Sequence, residues 1–410
     1  MRRCVLILLV FAASLGLLSC SQGAPGVAQG APELFHAVPS DALAAGYFSR
    51  LDHCLDRMTD SLSVLRRLDY GKLSRARAAV AMCDVGSVFP LLIVEAGRAD
   101  ADTLESVRSV MALADSLRIS SAFVPLESHY TLLLSPSSTV ITVARRHIAS
   151  ESSILDAPDF DLAEPLLGQQ DVIVLRNRGA SRLPGVSFGR FSWKQIAAFL
   201  RDAAEWTVLT DQELQPIYPQ SQRYFCDFLE SVSEAPSKLS AAFPAQASSV
   251  IDIPLASLQE WRQQYEKWLD ARIELEAYRR RLAALRKSSG KNPLDWEKEL
   301  GIKELACVTL PGGTLNMVRT SRNGGADGVA ANPNTGFVRA LYGAVFNPSD
   351  SCVLHIGNWL ISGDRMLLDS LKLLKERPSG WPAAAKIVVW TPEAHLNWTK
   401  ESIKIWNSNQ

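Results

Sequence analysis

Two stretches of this chain follow one pattern. Residues 38–48 read VPSDALAAGYF, and residues 243–253 read FPAQASSVIDI. In each, an apolar residue and a proline precede a strand-like run, and a segment with apolar residues at helical spacing follows. The helical spacing is carried by Leu51, Cys54, Leu55 and Met58 in the first stretch and by Leu258, Trp261 and Tyr265 in the second. The repetition predicts two related modules, each opening with a strand and then a helix.

Later segments recur in the same order along the two halves. The strand-like segments are 79–82 and 91–95 in the first half, and 305–310 and 315–319 in the second. A hairpin and then a helix are predicted to follow in each half. The hairpins join 130–134 with 140–143, and 352–356 with 359–361. A helix at 102–117 is expected in the first half only.

These patterns predict an α+β protein with an internal duplication. The expected modules are residues 34–225 and 226–410, each a mainly antiparallel sheet with packed helices. Any two α+β domains share some features. Because the order of elements agrees along most of each half and not at one motif, we favour duplication over a chance likeness.

One long amphipathic helix is predicted in the second module, from Ser257 to about Lys287. Ser257 can cap its first turn and Glu260 occupies the capping-box position, while Gly290 ends it. Cations near its C-terminal end complement the helix dipole, so we expect a solvated basic face, with binding of anionic lipid or sugar as the alternative. These cations are Arg279, Arg280, Arg281, Arg286 and Lys287.

The N-terminus carries a targeting pattern. Arg2 and Arg3 precede an apolar run that begins at Val5 and ends in Leu17-Leu18-Ser19-Cys20. The run is too short to span a bilayer comfortably but suits a signal peptide, and its end resembles the bacterial lipobox. The resemblance implies a signal peptide at 1–19 and acylation of Cys20. An ordinary secreted protein with a chance cysteine is the alternative.

The lipobox resemblance also implies a location. Acyl chains on Cys20 would anchor the chain through about 0.8 kcal/mol per buried methylene. Residues 20–33, rich in Gly, Ala, Gln and Pro, form the predicted lipidated cysteine and flexible tether. Ser21 is not the Asp that retains many such lipoproteins at an inner membrane, and the tether holds no acidic cluster. We therefore expect the cell envelope, with the outer membrane facing the periplasm favoured.

Composition excludes several classes of protein. The chain has 410 residues, of which 47% are hydrophobic, and its 43 Lys+Arg balance 43 Asp+Glu. That hydrophobicity excludes a disordered chain, and zero net charge argues against a general nucleic-acid binder. We expect no cofactor, and the irregular cysteine spacing favours buried free thiols over a disulfide or a metal site. These cysteines are Cys54, Cys83, Cys226, Cys307 and Cys352.

One short motif raises a catalytic hypothesis. Gly185-Val186-Ser187-Phe188-Gly189 matches the nucleophile elbow of serine hydrolases. An elbow needs a strand directly before the serine and a helix directly after it, and the local pattern supplies neither. A Gly-rich loop is therefore favoured, and a hydrolase using Ser187 is kept as an alternative.

Tryptophans are distributed unevenly. All ten lie at or after Trp193. An indole offers broad apolar contact with a polar handle, so a cluster can line a sugar site, although tryptophans are more often core residues. The alternative of a glycan-binding module has as its candidate ligand surface Trp359, Trp381, Trp390 and Trp398.

Two further segments carry a family resemblance. Val38-Pro39-Ser40-Asp41 and the Ser-Leu-containing segment at 152–160 resemble elements of a family of bacterial envelope proteins that has no established activity. The resemblance implies a fold over most of 34–400 and supplies no functional residue. We expect a membrane-anchored envelope lipoprotein that acts as a non-catalytic binding, scaffold or assembly component. Its expected partners are the membrane, through the lipid, and an envelope protein or glycan.

Overall fold

A computed structural model shows two large antiparallel sheets with helices packed on them, which confirms the predicted α+β class. The structure describes residues 32–57, 62–98, 100–167, 171–183, 187–188, 191–192, 204–209, 214–219, 221, 223–324, 328–343, 345–374, 381–392, 394–398 and 403–407. Within these ranges, no helix combines the length and apolar character needed to cross a membrane.

The first sheet is built from the N-terminal half. Its strands are β1 (Ala44–Phe48), β2 (Ala78–Asp84), β3 (Val88–Gly97), β4 (Ser120–Pro125), β5 (Tyr130–Ser135), β6 (Val172–Arg176), β9 (Trp206–Leu209) and β10 (Leu214–Ile217). Two short strands, β7 (Ser187–Phe188) and β8 (Phe191–Ser192), form a separate pair. The helices are α1 (Leu51–Arg57), α2 (Ala101–Ser116) and α3 (Ser138–Ala149). The eight-stranded order is β10-β9-β6-β1-β2-β3-β5-β4.

The second sheet follows a connecting helix, α4 (Phe225–Glu230). The strands are β11 (Ala235–Pro236), β12 (Ser249–Pro254), β13 (Glu304–Leu310), β14 (Gly313–Arg319), β15 (Ala330–Ala331), β16 (Cys352–Ile356), β17 (Trp359–Gly363), β18 (Ala384–Ala385), β19 (Ile387–Trp390), β20 (Ala394–Trp398) and β21 (Ile403–Asn407). The helices are α5 (Leu258–Ala271), α6 (Leu275–Ser289), α7 (Pro293–Leu300), α8 (Phe337–Tyr342) and α9 (Arg365–Asp369). The nine-stranded order is β15-β16-β17-β14-β13-β12-β19-β20-β21, and β11 pairs separately with β18.

The two sheets share one strand order. The first sheet, read from β10 to β4, has the same order as the second sheet read from β21 to β16. In this comparison β1, β2 and β3 correspond to β12, β13 and β14, while β4 and β5 correspond to β16 and β17. The strands β6, β9 and β10 correspond to β19, β20 and β21, and β15 is an additional edge strand. Helices also occur between corresponding strands along the chain: α1 corresponds in position to α5–α7, α2 to α8, and α3 to α9. The expectation that the helix at 102–117 has no counterpart is therefore wrong. The last strands of the two sheets, β10 and β21, lie next to each other. Common origin of the two modules remains a prediction.

Alternating side chains give each sheet two buried faces. In β2, Ala78, Val80 and Met82 enter one core, while Ala79 and Ala81 enter another. The first core, here called the central core, is one continuous cluster formed by both sheets with α1, α2 and α4–α8. The other face of the first sheet is covered by α3 and the 3₁₀ turn Glu33–Ala37, and that of the second sheet by α9 and nearby turns.

Two predicted local elements differ from the structure. Residues 140–143 are not a strand, because Ser137 caps α3 by accepting a hydrogen bond from the Val140 N–H. Strand β5 pairs instead with β4. The prediction of one long helix is also wrong. Ser257 caps α5 as predicted, but α5 ends at Ala271 and a second helix, α6, begins at Leu275.

The break between α5 and α6 contains a strained residue. Ile273 has a φ of 63° and is 90% exposed. A left-handed backbone costs an L-residue about 1–2 kcal/mol, and a branched Cβ is poorly suited to it. The strain is therefore not offset by burial of the side chain.

Replacing Ile273 with Gly should stabilise the fold. Relief of the left-handed strain exceeds the extra entropy of Gly in the unfolded chain, so we expect Ile273→Gly to raise the free energy of unfolding by about 0.5–1 kcal/mol. Urea unfolding followed by circular dichroism measures this change. Ile273→Val keeps the branched Cβ and is the control, expected to be unchanged. A loss of stability in Ile273→Gly would contradict the explanation by strain.

Candidate functional site

The described residues include a buried pair of carboxyl groups in the second sheet. Asp252 on β12 and Glu304 on β13 are both 0% exposed. Asp252 lies opposite Ala306, and Glu304 lies two residues away from Ala306 on the same strand. The two carboxyl groups are therefore diagonal neighbours on one face of the sheet. Two negative charges so close and so buried repel each other strongly, which disfavours ionisation of both groups.

Glu304 is surrounded by donors that stabilise its charged form. The Arg319 Nε donates to Glu304 Oε2 at 2.6 Å from the neighbouring strand. The backbone N–H groups of Lys238 and Leu239 donate to Oε1 at 2.8 and 2.9 Å. Hydrogen bonds to a carboxylate are strongest when it is ionised. Glu304 is therefore the member of the pair that carries the negative charge.

Asp252 is placed to hold a proton. Burial raises the pKa of Asp252 well above its ordinary value, and the charge of Glu304 acts in the same direction. The Ser237 Oγ donates to Asp252 Oδ2 at 2.6 Å, and the Trp381 Nε1 donates in turn to Ser237 Oγ at 2.8 Å. The remaining oxygen, Oδ1, has no donor within the described part of the chain. A proton on Asp252, hydrogen-bonded to Glu304, accounts for that oxygen.

This buried cluster has a structural role. Ser237, Asp252 and Glu304 are at most 1% exposed, so a substrate has no direct contact with them. Ser237, Lys238 and Leu239 belong to the connection between α4 and β12, and the pair β11–β18 lies beside it. The carboxyl pair therefore clamps the connection between the two modules to the second sheet.

The predicted tryptophan surface is largely core. Trp359 and Trp381 are buried, and Trp390 is half-buried. Trp381 and Trp390 contact the ring of Phe243 edge-on, with centroids 5.4 and 4.8 Å away. Trp359 and Trp381 are therefore core residues, and Phe243 of the FPAQ segment packs against Trp381 and Trp390. A glycan surface that uses the C-terminal tryptophans stays a prediction. Trp398 lies on β20, and its side chain falls outside the described residues.

The structure also places Ser187 and the cysteines. Ser187 starts β7, which pairs with β8 in a two-residue ladder, so it does not lie at the strand-to-helix turn of a nucleophile elbow. Its side chain is outside the described residues, as is all of Cys20. The five cysteines from Cys54 to Cys352 are free thiols, and all but Cys352 are buried. Burial raises the pKa of Cys83 and of Cys307 to about 12, so neither is a nucleophile near neutral pH.

A second polar cluster fixes the start of the described chain. Glu33 accepts hydrogen bonds from the Ser128 N–H at 2.8 Å and the Ser128 Oγ at 2.6 Å. The His129 Nδ1 lies 3.1 Å from the same carboxylate. Burial acts to raise the pKa of Glu33, but the Ser128 hydrogen bonds outweigh it, so the pKa is lowered. This clamp joins the end of the predicted tether to the turn between β4 and β5.

Sequence reasoning identified neither cluster. Asp252 and Glu304 are far apart in sequence, as are Glu33 and Ser128, so no local spacing reveals them. One signal was present: Asp252 is a carboxylate inside the strongly apolar run 250–253. Among the residues that the structure describes, no group of three or more His, Cys, Asp or Glu side chains could hold a metal ion.

Comparison with known proteins gives no relative: no protein family, curated protein or solved structure matches this chain.

The carboxyl pair gives a pH-dependent prediction. Because the folded-state pKa of Asp252 is raised, the folded chain keeps a proton that the unfolded chain releases as pH rises above the ordinary value of 3.8. The contribution of Asp252 to stability therefore falls with rising pH. Asp252→Asn mimics the protonated form, so its free energy of unfolding relative to the parent should increase from about pH 4 to pH 8. Urea unfolding across this range measures the difference, and a pH-independent difference would contradict the assignment.

Removing the charge of Glu304 should destabilise the fold, which is the opposite of the effect expected for Asp252→Asn as pH rises. Glu304→Gln leaves Arg319 without its carboxylate and weakens the acceptor for two backbone N–H groups. We expect a loss of about 3 kcal/mol in the free energy of unfolding at neutral pH, since breaking a buried ion pair leaves an uncompensated charge. Chemical denaturation again provides the measurement. Equal losses in Glu304→Gln and Asp252→Asn would show that the charge is not localised on Glu304.

The hydrogen bonds between Glu33 and Ser128 predict that replacing Glu33 loosens the 3₁₀ turn Glu33–Ala37. The lowered pKa of Glu33 means that its contribution is present above the unfolded-state pKa and is lost as pH falls through the folded-state value. Glu33→Gln should therefore speed hydrogen exchange of the 3₁₀ turn Glu33–Ala37 at neutral pH, with a smaller difference from the parent in acid. Glu127→Gln, an exposed neighbour of Ser128, is the matched control. Equal exchange in the two variants would argue against the clamp.

Proposed function

We propose that this protein is a membrane-anchored envelope lipoprotein that serves as a non-catalytic binding, scaffold or assembly component. The observation that carries the proposal is the sequence Leu17-Leu18-Ser19-Cys20 at the end of a cation-led apolar run. Position, charge and apolar length all agree with a lipoprotein signal peptide. Acylation of Cys20 would hold the folded part at the membrane without a spanning helix.

The clamp at Glu33 supports a tethered arrangement. Twelve residues lie between Cys20 and Glu33, and the thirteen Cα–Cα steps from one to the other span at most about 45 Å when fully extended. Because Ser128 holds Glu33 against the turn between β4 and β5, the tether ends at a defined point on the first sheet. The membrane would then lie within this reach of that turn. By the sorting resemblance, we place the protein at the outer membrane, facing the periplasm.

The central core supports a scaffold role. Both sheets contribute to one buried cluster, so separating the modules would expose apolar surface to water. Such a body keeps its two halves at a fixed distance from each other, as a component that positions an envelope protein or glycan requires. No observation favours the alternatives of a hydrolase using Ser187 or a glycan site built from the C-terminal tryptophans.

Metabolic labelling tests the proposal. In a bacterial host supplied with an alkyne-tagged palmitate, the parent chain should incorporate the label and fractionate with membranes. Cys20→Ser should abolish incorporation and release the chain from the acylated pool, because the acceptor thiol is gone. Cys4→Ser, a change within the predicted signal peptide, is the matched control and should keep the label. An unlabelled parent, or label retained in Cys20→Ser, would refute acylation at Cys20.

A further inference from the structure

One segment of this neutral chain has a strongly unequal charge. Residues 277–294 read AYRRRLAALRKSSGKNPL and hold no Asp or Glu. Their cations are Arg279, Arg280, Arg281, Arg286, Lys287 and Lys291. Most of these residues form α6, which packs on the central core through Tyr278 and Leu282. The positive charge is therefore concentrated on the exposed surface of one helix.

The helix dipole explains only part of this pattern. Since α6 begins at Leu275, Arg279, Arg280 and Arg281 lie in its second turn, and only Arg286 and Lys287 lie near its C-terminal end. The favourable effect of the dipole on cations is confined to the last turn. The arginine triplet therefore needs another explanation.

Most of these cations lack a carboxylate partner. Arg279 pairs with Glu276, and Lys291 pairs with Glu299. Within the described part of the chain, the other four cations are exposed and form no ion pair. We call these four, which are Arg280, Arg281, Arg286 and Lys287, the basic face. Ala283 and Ala284, which are also exposed, lie between them in the sequence. Because alanine side chains are small, the longer cationic side chains protrude beyond them.

An exposed apolar residue lies at the end of the same hairpin. Ile273 separates α5 from α6 and is 90% exposed in a left-handed conformation. Folding does not require a branched apolar side chain there, and strain retained in the native state is a reason to look for a function. Asp270, Glu274 and Glu276 are also close to this end of the hairpin. The excess positive charge therefore belongs to the part of α6 after Glu276.

We propose that the hairpin formed by α5 and α6 binds the surface of an anionic phospholipid bilayer. The basic face contacts lipid phosphates, and Ile273 enters the headgroup region. From Arg280 to Lys287 the helix extends about 10 Å, and its outer surface is convex, which suits a flat surface better than a groove. Cations beside apolar residues are typical of segments that lie on membranes. This contact does not require acylation of Cys20.

Vesicle sedimentation tests the contact separately from the lipid anchor. All chains lack the predicted signal peptide at 1–19 and carry Cys20→Ser, so neither the apolar run nor an acyl chain contributes, and binding to phosphatidylcholine alone is subtracted. The vesicles under test contain phosphatidylcholine and phosphatidylglycerol in equal parts. The face variant combines Arg280→Gln, Arg281→Gln, Arg286→Gln and Lys287→Gln. The control variant removes four exposed cations elsewhere by Arg67→Gln, Arg108→Gln, Arg145→Gln and Arg146→Gln.

The parent and the control variant should bind anionic vesicles, and added salt should weaken this binding. The face variant should bind at least about tenfold more weakly, since several cations near the surface act together. Ile273→Asp should also reduce binding. Far-ultraviolet circular dichroism checks that each variant is folded.

Three results would overturn the proposal. These are equal binding by the parent and the face variant, no binding of the parent beyond that to phosphatidylcholine, and displacement of the parent from vesicles by a short DNA duplex. The last result would assign the basic face to a different polyanion. None of them bears on palmitate labelling of Cys20, so the two proposals fail independently.

Discussion

The central core is the packing on which the rest of the structure depends. Phe228 of the connecting helix α4 contacts Trp261 and Tyr265 of α5, with ring centroids 4.6 and 5.7 Å apart. The same cluster continues into β2 and β13. Burial of large aromatic side chains supplies much of the favourable free energy of such a core. The predicted boundary at residues 225 and 226 falls at the first residues of α4, where the chain already belongs to this shared core.

Sequence patterns predicted the strands better than the connections. Strands β12 and β13 are buried on both faces and mostly apolar, so their runs stand out without any knowledge of neighbouring strands. The end of α5 could not be predicted in this way. The segment from Arg272 to Glu274 holds no Gly or Pro, and the break arises because α5 and α6 each bury a separate apolar stripe. The strand-like residues 140–143 likewise became helical through the cap at Ser137.

The polar clusters show a different limit of sequence reasoning. Asp252 could be recognised as unusual in an apolar strand, but its partner Glu304 is defined only by the register of two strands joined through three helices. The tryptophans could be recognised as a group, but the packing of Trp381 and Trp390 depends on Phe243. Side chains that meet across long separations depend on tertiary packing, which local periodicity does not encode. The predicted lipobox at Cys20 is the reverse case, since that prediction rests on a short linear sequence alone.

The contact between β10 and β21 is made by corresponding strands of the two sheets. At this contact the same element is supplied from each side, as at the interface of a twofold-symmetric dimer. In a dimer, such an interface dissociates on dilution, so stability depends on protein concentration. Here one chain carries both halves, and the interface closes within the molecule. Its occupancy is therefore independent of protein concentration.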